Sequence, residues 1–140
     1  MTEKSSKAGT IGGFDLTVPN AESIRDFYAA VVGWTSEPFA TGGYDDYFMI
    51  PAEGATPVAG ICHARGESAA LPPYWLAYVV VDNLAASLKR CAEQGGAVIC
   101  SPFGEPSCGP YGVIQDPAGA YLTLMEAESE PVPTETNESV

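Results

Sequence analysis

The chain has 140 residues, and 46% of them are apolar, enough to bury one core and too many for a globally disordered polypeptide. A formal net charge of −12 repels nucleic acid and anionic lipid surfaces, so neither is an expected partner. No apolar run reaches transmembrane length and no signal peptide opens the sequence, which predicts a cytoplasmic protein.

Residues 1–10, MTEKSSKAGT, hold little to bury and read as a disordered start. In FDLTVPN, Phe14, Leu16 and Val18 alternate with Gly13, Asp15 and Thr17, the period of a strand. Asn20 stands where a helix N-cap belongs, with Glu22 in the first turn. Ile24, Phe27, Tyr28, Val31 and Val32 then form one apolar helix face, and Gly33 is the expected stop. YFMI (47–50) and PVAGICHA (57–64) read as two further strands around a PAEGAT turn. Tyr44-Asp45-Asp46-Tyr47 reads as a solvated loop, because neighbouring residues of an extended segment point opposite ways and the two acids do not converge.

RGESAALPP (65–73) reads as a linker, after which the plan begins again. WLAYVVVD (75–82) is a strand, Asn83 a cap, and Leu84, Leu88, Cys91 and Ala92 a helix face stopped by Gly95-Gly96. AVIC (97–100), YGVIQ (111–115) and AYLTLME (120–126) finish as strands. From Glu126 onward the sequence holds five of the eighteen acids and two prolines, so residues 127–140 read as an acidic disordered tail. Cys62, Cys91, Cys100 and Cys108 show no zinc-like pairing, and reduced thiols are expected rather than a disulfide framework.

A shift of 63 residues superposes Val18 on Val81, Asn20 on Asn83 and Gly33 on Gly96. Two βαβββ modules, 11–64 and 74–126, follow from this repeat and predict an α+β protein. WLAYVVVD is apolar on both faces, so the face away from the helices is expected to be covered or concave. A small-molecule site and a homodimer interface both explain that pattern.

The paired modules, the opening VPNAESIRDFYAAVVGW and the ending QDPAGAYLTLME resemble the vicinal oxygen chelate superfamily, which includes glyoxalase I, extradiol dioxygenases and bleomycin-resistance proteins. The resemblance spans residues 11–126 and implies a curved eight-stranded cup with helices on its outer face, in a homodimer. Metal-dependent members hold a divalent ion in the cup through His, Glu or Gln. Here the usual ligand positions fall on Gly13, Leu76 and Thr123, with the fourth near Gly60 to His63. Glycine and leucine offer no side-chain ligand and threonine a poor one, so no metal or other cofactor is expected.

Asp15 falls on the same strand face as the lost first ligand, and its mate under the 63-residue shift is Tyr78. The carboxylate and the phenol are expected to face one another in the cup, as polar contacts for a ligand, as a general base with its partner, or as a structural hydrogen bond. Thr17 and Thr123 would add polar contacts, and Trp34, Phe48, Tyr78 and Tyr121 aromatic walls. His63 is the sole histidine, and with Asp15 it is the remaining acid–base pair or metal-site remnant. Cys62 is expected on the opposite, core-facing side. The first functional expectation is a metal-independent protein, similar to bleomycin-resistance proteins, binding a small, partly aromatic molecule. The alternative is a lyase, isomerase or oxygenase-type enzyme of the same superfamily, using a displaced divalent metal or Asp15 and His63.

Overall fold

The computed structural model describes residues 7–69 and 71–127. The expected disorder of residues 1–6 and 128–140 lies outside the described residues. The chain runs β1 (Ile11–Val18), α1 (Ala21–Val32), β2 (Thr35–Ala40), β3 (Asp45–Ile50), β4 (Ala59–His63), β5 (Leu76–Val81), α2 (Leu84–Glu93), β6 (Ala97–Cys100), β7 (Gly112–Gln115) and β8 (Tyr121–Glu126). The order β-α-β-β-β thus occurs twice in an α+β fold. All eight strands join one open sheet in the order β2-β3-β4-β1-β5-β8-β7-β6.

The pairing of β1 with β5 joins the two halves. These strands run antiparallel, with Asp15 opposite Leu76 and Phe14 opposite Ala77. Each then pairs in parallel with the last strand of its own half, β1 with β4 and β5 with β8. Residues opposite one another share a face, so the register assigns every strand residue to the helix side or the helix-free side.

Both helices lie on one side. Leu16, Val18, Tyr47, Met49 and Ile61 pack under α1 with Ala21, and Val79, Val81 and Leu124 pack under α2 with Leu84 and Leu88. Met49 and Ile61 are completely buried, each contributing about 1.5–3 kcal/mol of transfer free energy. Gly112 permits the close approach of α2: a Cβ there would lie 2.9 Å from Leu88 Cδ2. Asn83 caps α2, its side chain accepting the Ala86 N–H at 2.9 Å, and Gly33 ends α1 in the left-handed conformation, φ 86°.

Several expectations need correction. Thr35–Ala40 is a strand that period-two reading misses, because its charge, its proline and its exposure are those of a sheet edge. Asn20 occupies the N-cap position of α1 without a side-chain cap bond. Of the apolar face expected on α1, Ile24 and Tyr28 pack on the core beside Ala21, while Phe27, Val31 and Val32 are exposed. Residues 7–10 are not a free start, since Gly9 N–H donates to Val80 O and Val80 N–H to Thr10 O.

The largest correction concerns the thiols. Cys100 and Cys108 form a disulfide across the β6–β7 connection, while Cys62 and Cys91 are free. The two cysteines stand eight positions apart, too far for a spacing motif but within reach once the loop folds back. The bridge packs with Val113, Leu71, Ile99 and Tyr121 as a small second core. Val113 pairs with Thr123, and Thr123 with Tyr78, so this core covers part of the helix-free face.

Candidate functional site

The centre of the helix-free face is built from four neighbouring strands. Tyr78 on β5 donates its phenolic O–H to Asp15 Oδ2 on β1 at 2.6 Å. On the other side of β1, Asp15 lies directly opposite Gly60 of β4. A Cβ on Gly60 would overlap Asp15 Oδ1, so the glycine is the notch that receives the carboxylate. Burial raises the Asp15 pKa above the ordinary carboxylate value, and the charge of Asp46 adds to the rise. The Tyr78 hydroxyl and the Gly60 backbone oppose it by favouring the ionised form. Tyr78 is itself pushed up, first by burial and then by Asp15, and so stays a donor. Tyr111, just past the disulfide-closed loop, packs its ring in a T-shaped contact with that of Tyr78, the centroids 5.1 Å apart.

Cys62 belongs to this cluster, contrary to expectation. It pairs with Thr17, two residues beyond Asp15 on the same face. Burial, then Asp15 and Asp46, hold its thiol well above the usual value, so it is a poor nucleophile here. Asp46 is likewise no solvated loop residue: it is buried on β3, with its side chain turned from the core residues Tyr47 and Met49. Sequence reading missed Asp46, Gly60 and Tyr111. The register between β3 and β4 is the signal that would have found the first two.

Asp15 and His63 do not form a pair. His63 lies opposite Val18, on the other side of the strand from Thr17 and Asp15. Its backbone N–H and its ring Nδ1 both meet Asp46 Oδ1, at 2.8 and 3.2 Å, and its ring abuts Tyr44. Trp34 is also displaced from the expected wall. It packs with Tyr28 and Trp75 on the helix side, where an apolar groove of about 390 Å³ is lined by Phe14, Tyr28, Trp34, Val58, Ala59 and Trp75. Phe48 is on the helix-free face, opposite Gly60 and stacked on Phe39 at 4.4 Å. Tyr121 is on that face too, stacked on Tyr74 and part of the disulfide core.

Thr123 is 2% exposed, and its hydroxyl has no hydrogen-bond partner among the described residues. The superfamily's usual divalent metal does not fit this set. Gly13 and Leu76 offer nothing to a cation, and among the described residues no three His, Cys, Asp or Glu side chains converge as ligands.

The sequence model of the Glyoxalase/Bleomycin resistance protein/Dioxygenase superfamily matches residues 10–124. "Putative glyoxylase CFP32" of Mycobacterium bovis is 29% identical over 121 residues, 86% of this chain and 45% of that protein. "Anthracycline biosynthesis protein DnrV" of Streptomyces peucetius is 30% identical over 124 residues, 89% of this chain and 44% of that protein. The chain therefore spans less than half the length of these curated relatives. Among solved structures, methylmalonyl-CoA epimerase from Mycobacterium tuberculosis aligns at 16% identity and a TM-score of 0.48, over 96% of this chain and 95% of that one.

Proposed function

Because the chain belongs to the glyoxalase/bleomycin resistance protein/dioxygenase superfamily, we propose that its helix-free face binds a small, partly aromatic molecule without the superfamily's usual metal. One observation carries this reading. A buried carboxylate, seated over a glycine and held by a phenol, lies among Tyr78, Tyr111 and Phe48 on a face that bears no helix. Concave apolar surroundings with a few convergent polar groups are the usual setting for a small ligand. Asp15, Tyr78, Thr17 and Thr123 supply the polar contacts, and Phe48 and Tyr121 the aromatic edges.

The reading includes a cytoplasmic homodimer. The exposed Phe27, Val31 and Val32 on α1 favour a second copy as the cover of that helix face. Burial of both sulfurs of the Cys100–Cys108 bridge restricts the access of cellular reductants to it. No helix of the described residues is long and apolar enough to cross a membrane.

A thermal-shift screen of bicyclic aromatic fragments tests the binding. Fragments should raise the melting temperature of the native chain and lose that effect in Tyr78→Ala. An empty screen, or hits indifferent to Tyr78, removes the reading. One transition-metal ion per purified chain, measured by elemental mass spectrometry, would overturn its metal-free part. A second reading, catalysis, has the raised Asp15 pKa behind it, since a carboxylate so shifted suits proton transfer. It requires turnover that Asp15→Asn abolishes while the fold is retained.

A further inference from the structure

The helix-free face has a one-sided charge. None of the eight strands contains a lysine or an arginine. Arg25, Lys89 and Arg90 ride on the helices across the sheet, Arg65 follows β4 with its guanidinium over Tyr44 at 4.1 Å, Lys7 precedes β1, and Lys4 lies outside the described residues. The sole histidine is engaged by Asp46. Against this, the register places Asp15, Asp46 and Glu37 all on the helix-free face, Glu37 opposite Phe48 on the exposed edge. Asp15 is thus a largely buried acid whose described partners, Tyr78 and Gly60, are neutral.

A buried carboxylate without a counter-charge is costly, and a cation brought to it relieves that cost. The second observation is independent of charge. The Thr123 hydroxyl, next to Tyr78 across the β5–β8 pair, is buried with no partner among the described residues and is left to accept a hydrogen bond. Tyr78 and Tyr111 on one side and the Phe39–Phe48 stack on the other present aromatic rings, which also attract cations.

We infer that the molecule bound at this face carries a positively charged amine on its aromatic or apolar body, with the ammonium directed to Asp15. This rests on the binding reading above and adds the charge of the ligand to it. A carboxylate or phosphate ligand would set a further negative charge beside Asp15 and Asp46, with no strand-borne cation to offset it.

Calorimetric titration of the full chain with naphthylmethylamine, naphthylmethanol and naphthylacetate separates the cases, since the three share a ring system and differ in charge. The amine should bind at least about tenfold more tightly than the alcohol, and the acid least tightly. Asp15→Asn should weaken the amine by about 100-fold and leave the alcohol unchanged. Thr123→Val, which keeps the branched shape, should weaken the amine by about fivefold.

Should Asp15→Asn fail to fold, the native chain still gives an answer. Tyr78, Asp46, Cys62 and Tyr111 are the titratable groups facing Asp15, and burial holds the two phenols and the thiol above their usual values, so they stay neutral on acidification. Amine affinity should therefore fall as pH drops through the Asp15 transition, and alcohol affinity should not. An alcohol or acid that binds as well as the amine overturns the inference and leaves the binding reading standing. So does an amine whose affinity ignores both Asp15→Asn and pH. If none of the three binds the folded protein, the binding reading falls with it.

Discussion

Tyr78 and Asp15 stand at equivalent positions of the two halves, 63 residues apart, and are joined by a 2.6 Å hydrogen bond. In each half the residue pairs in parallel with the last strand: Asp15 meets Gly60, and Tyr78 meets Thr123. The bond therefore crosses the junction at which the two halves become one sheet.

The burial of Asp15, only partly offset by this bond, predicts a pH dependence of stability. Asp15 has a folded-state pKa raised above its unfolded value near 3.8, so the folded form binds its proton more tightly. Its contribution is fully present below 3.8 and is lost as pH rises through the higher folded value. Urea midpoints of the native chain should fall across that window relative to Asp15→Asn, which has nothing to titrate there. Tyr78→Phe should widen the window, because it removes a donor that favours the ionised form, and should cost about 2 kcal/mol at neutral pH. Parallel curves for the native chain and Asp15→Asn would show that the carboxylate is not shifted.

Gly60→Ala should destabilise the protein by about 1–3 kcal/mol, since the added methyl overlaps Asp15 Oδ1. The backbone at Gly60 has ordinary strand geometry, so the cost is steric. In the background Asp15→Ala most of it should vanish, giving a double-mutant coupling above about 1 kcal/mol. Additive costs in chemical denaturation would separate the two residues.

Opening the Cys100–Cys108 bridge by Cys100→Ser with Cys108→Ser should cost about 2–3 kcal/mol, the chain-entropy estimate for so short a loop. Because Tyr111 lies just past that loop, ligand affinity should fall in the same variant. Thiol titration of the unreduced, denatured chain should find Cys62 and Cys91 and no others. Four reactive thiols would contradict the bridge.

Val31→Glu on the exposed face of α1 should leave the melting temperature of the folded chain nearly unchanged at low protein concentration. It should also convert a dimer into a monomer by light scattering. A native chain that is already monomeric at high concentration would exclude this face as an interface.

Much of the architecture was readable from periodicity, because β1, β5, β8 and α2 carry clean apolar patterns and a real cap at Asn83. The Asp15–Tyr78 pairing was legible from the 63-residue shift together with the family resemblance that puts Asp15 on the cup face. What escaped depended on contacts between strands. Glu37 and Pro38 hide β2, since an edge strand needs no alternation. Asp46 looks solvated in YDDY until β4 lies beside β3 and its carboxylate receives the His63 N–H. Trp34 carries no mark of which side of the sheet it will take. The bridge between Cys100 and Cys108 depends on the path of a loop, which no local signal encodes.

The pairing of Gly60 with Asp15 in one half, and of Thr123 with Tyr78 in the other, has a stereochemical consequence. Two identical halves would present a guest with the same groups after a half-turn and would accept it in two equivalent poses. Here one end meets a carboxylate seated over a bare backbone position, and the other a phenol beside a hydroxyl unpaired among the described residues. A molecule whose ends differ therefore has one preferred orientation.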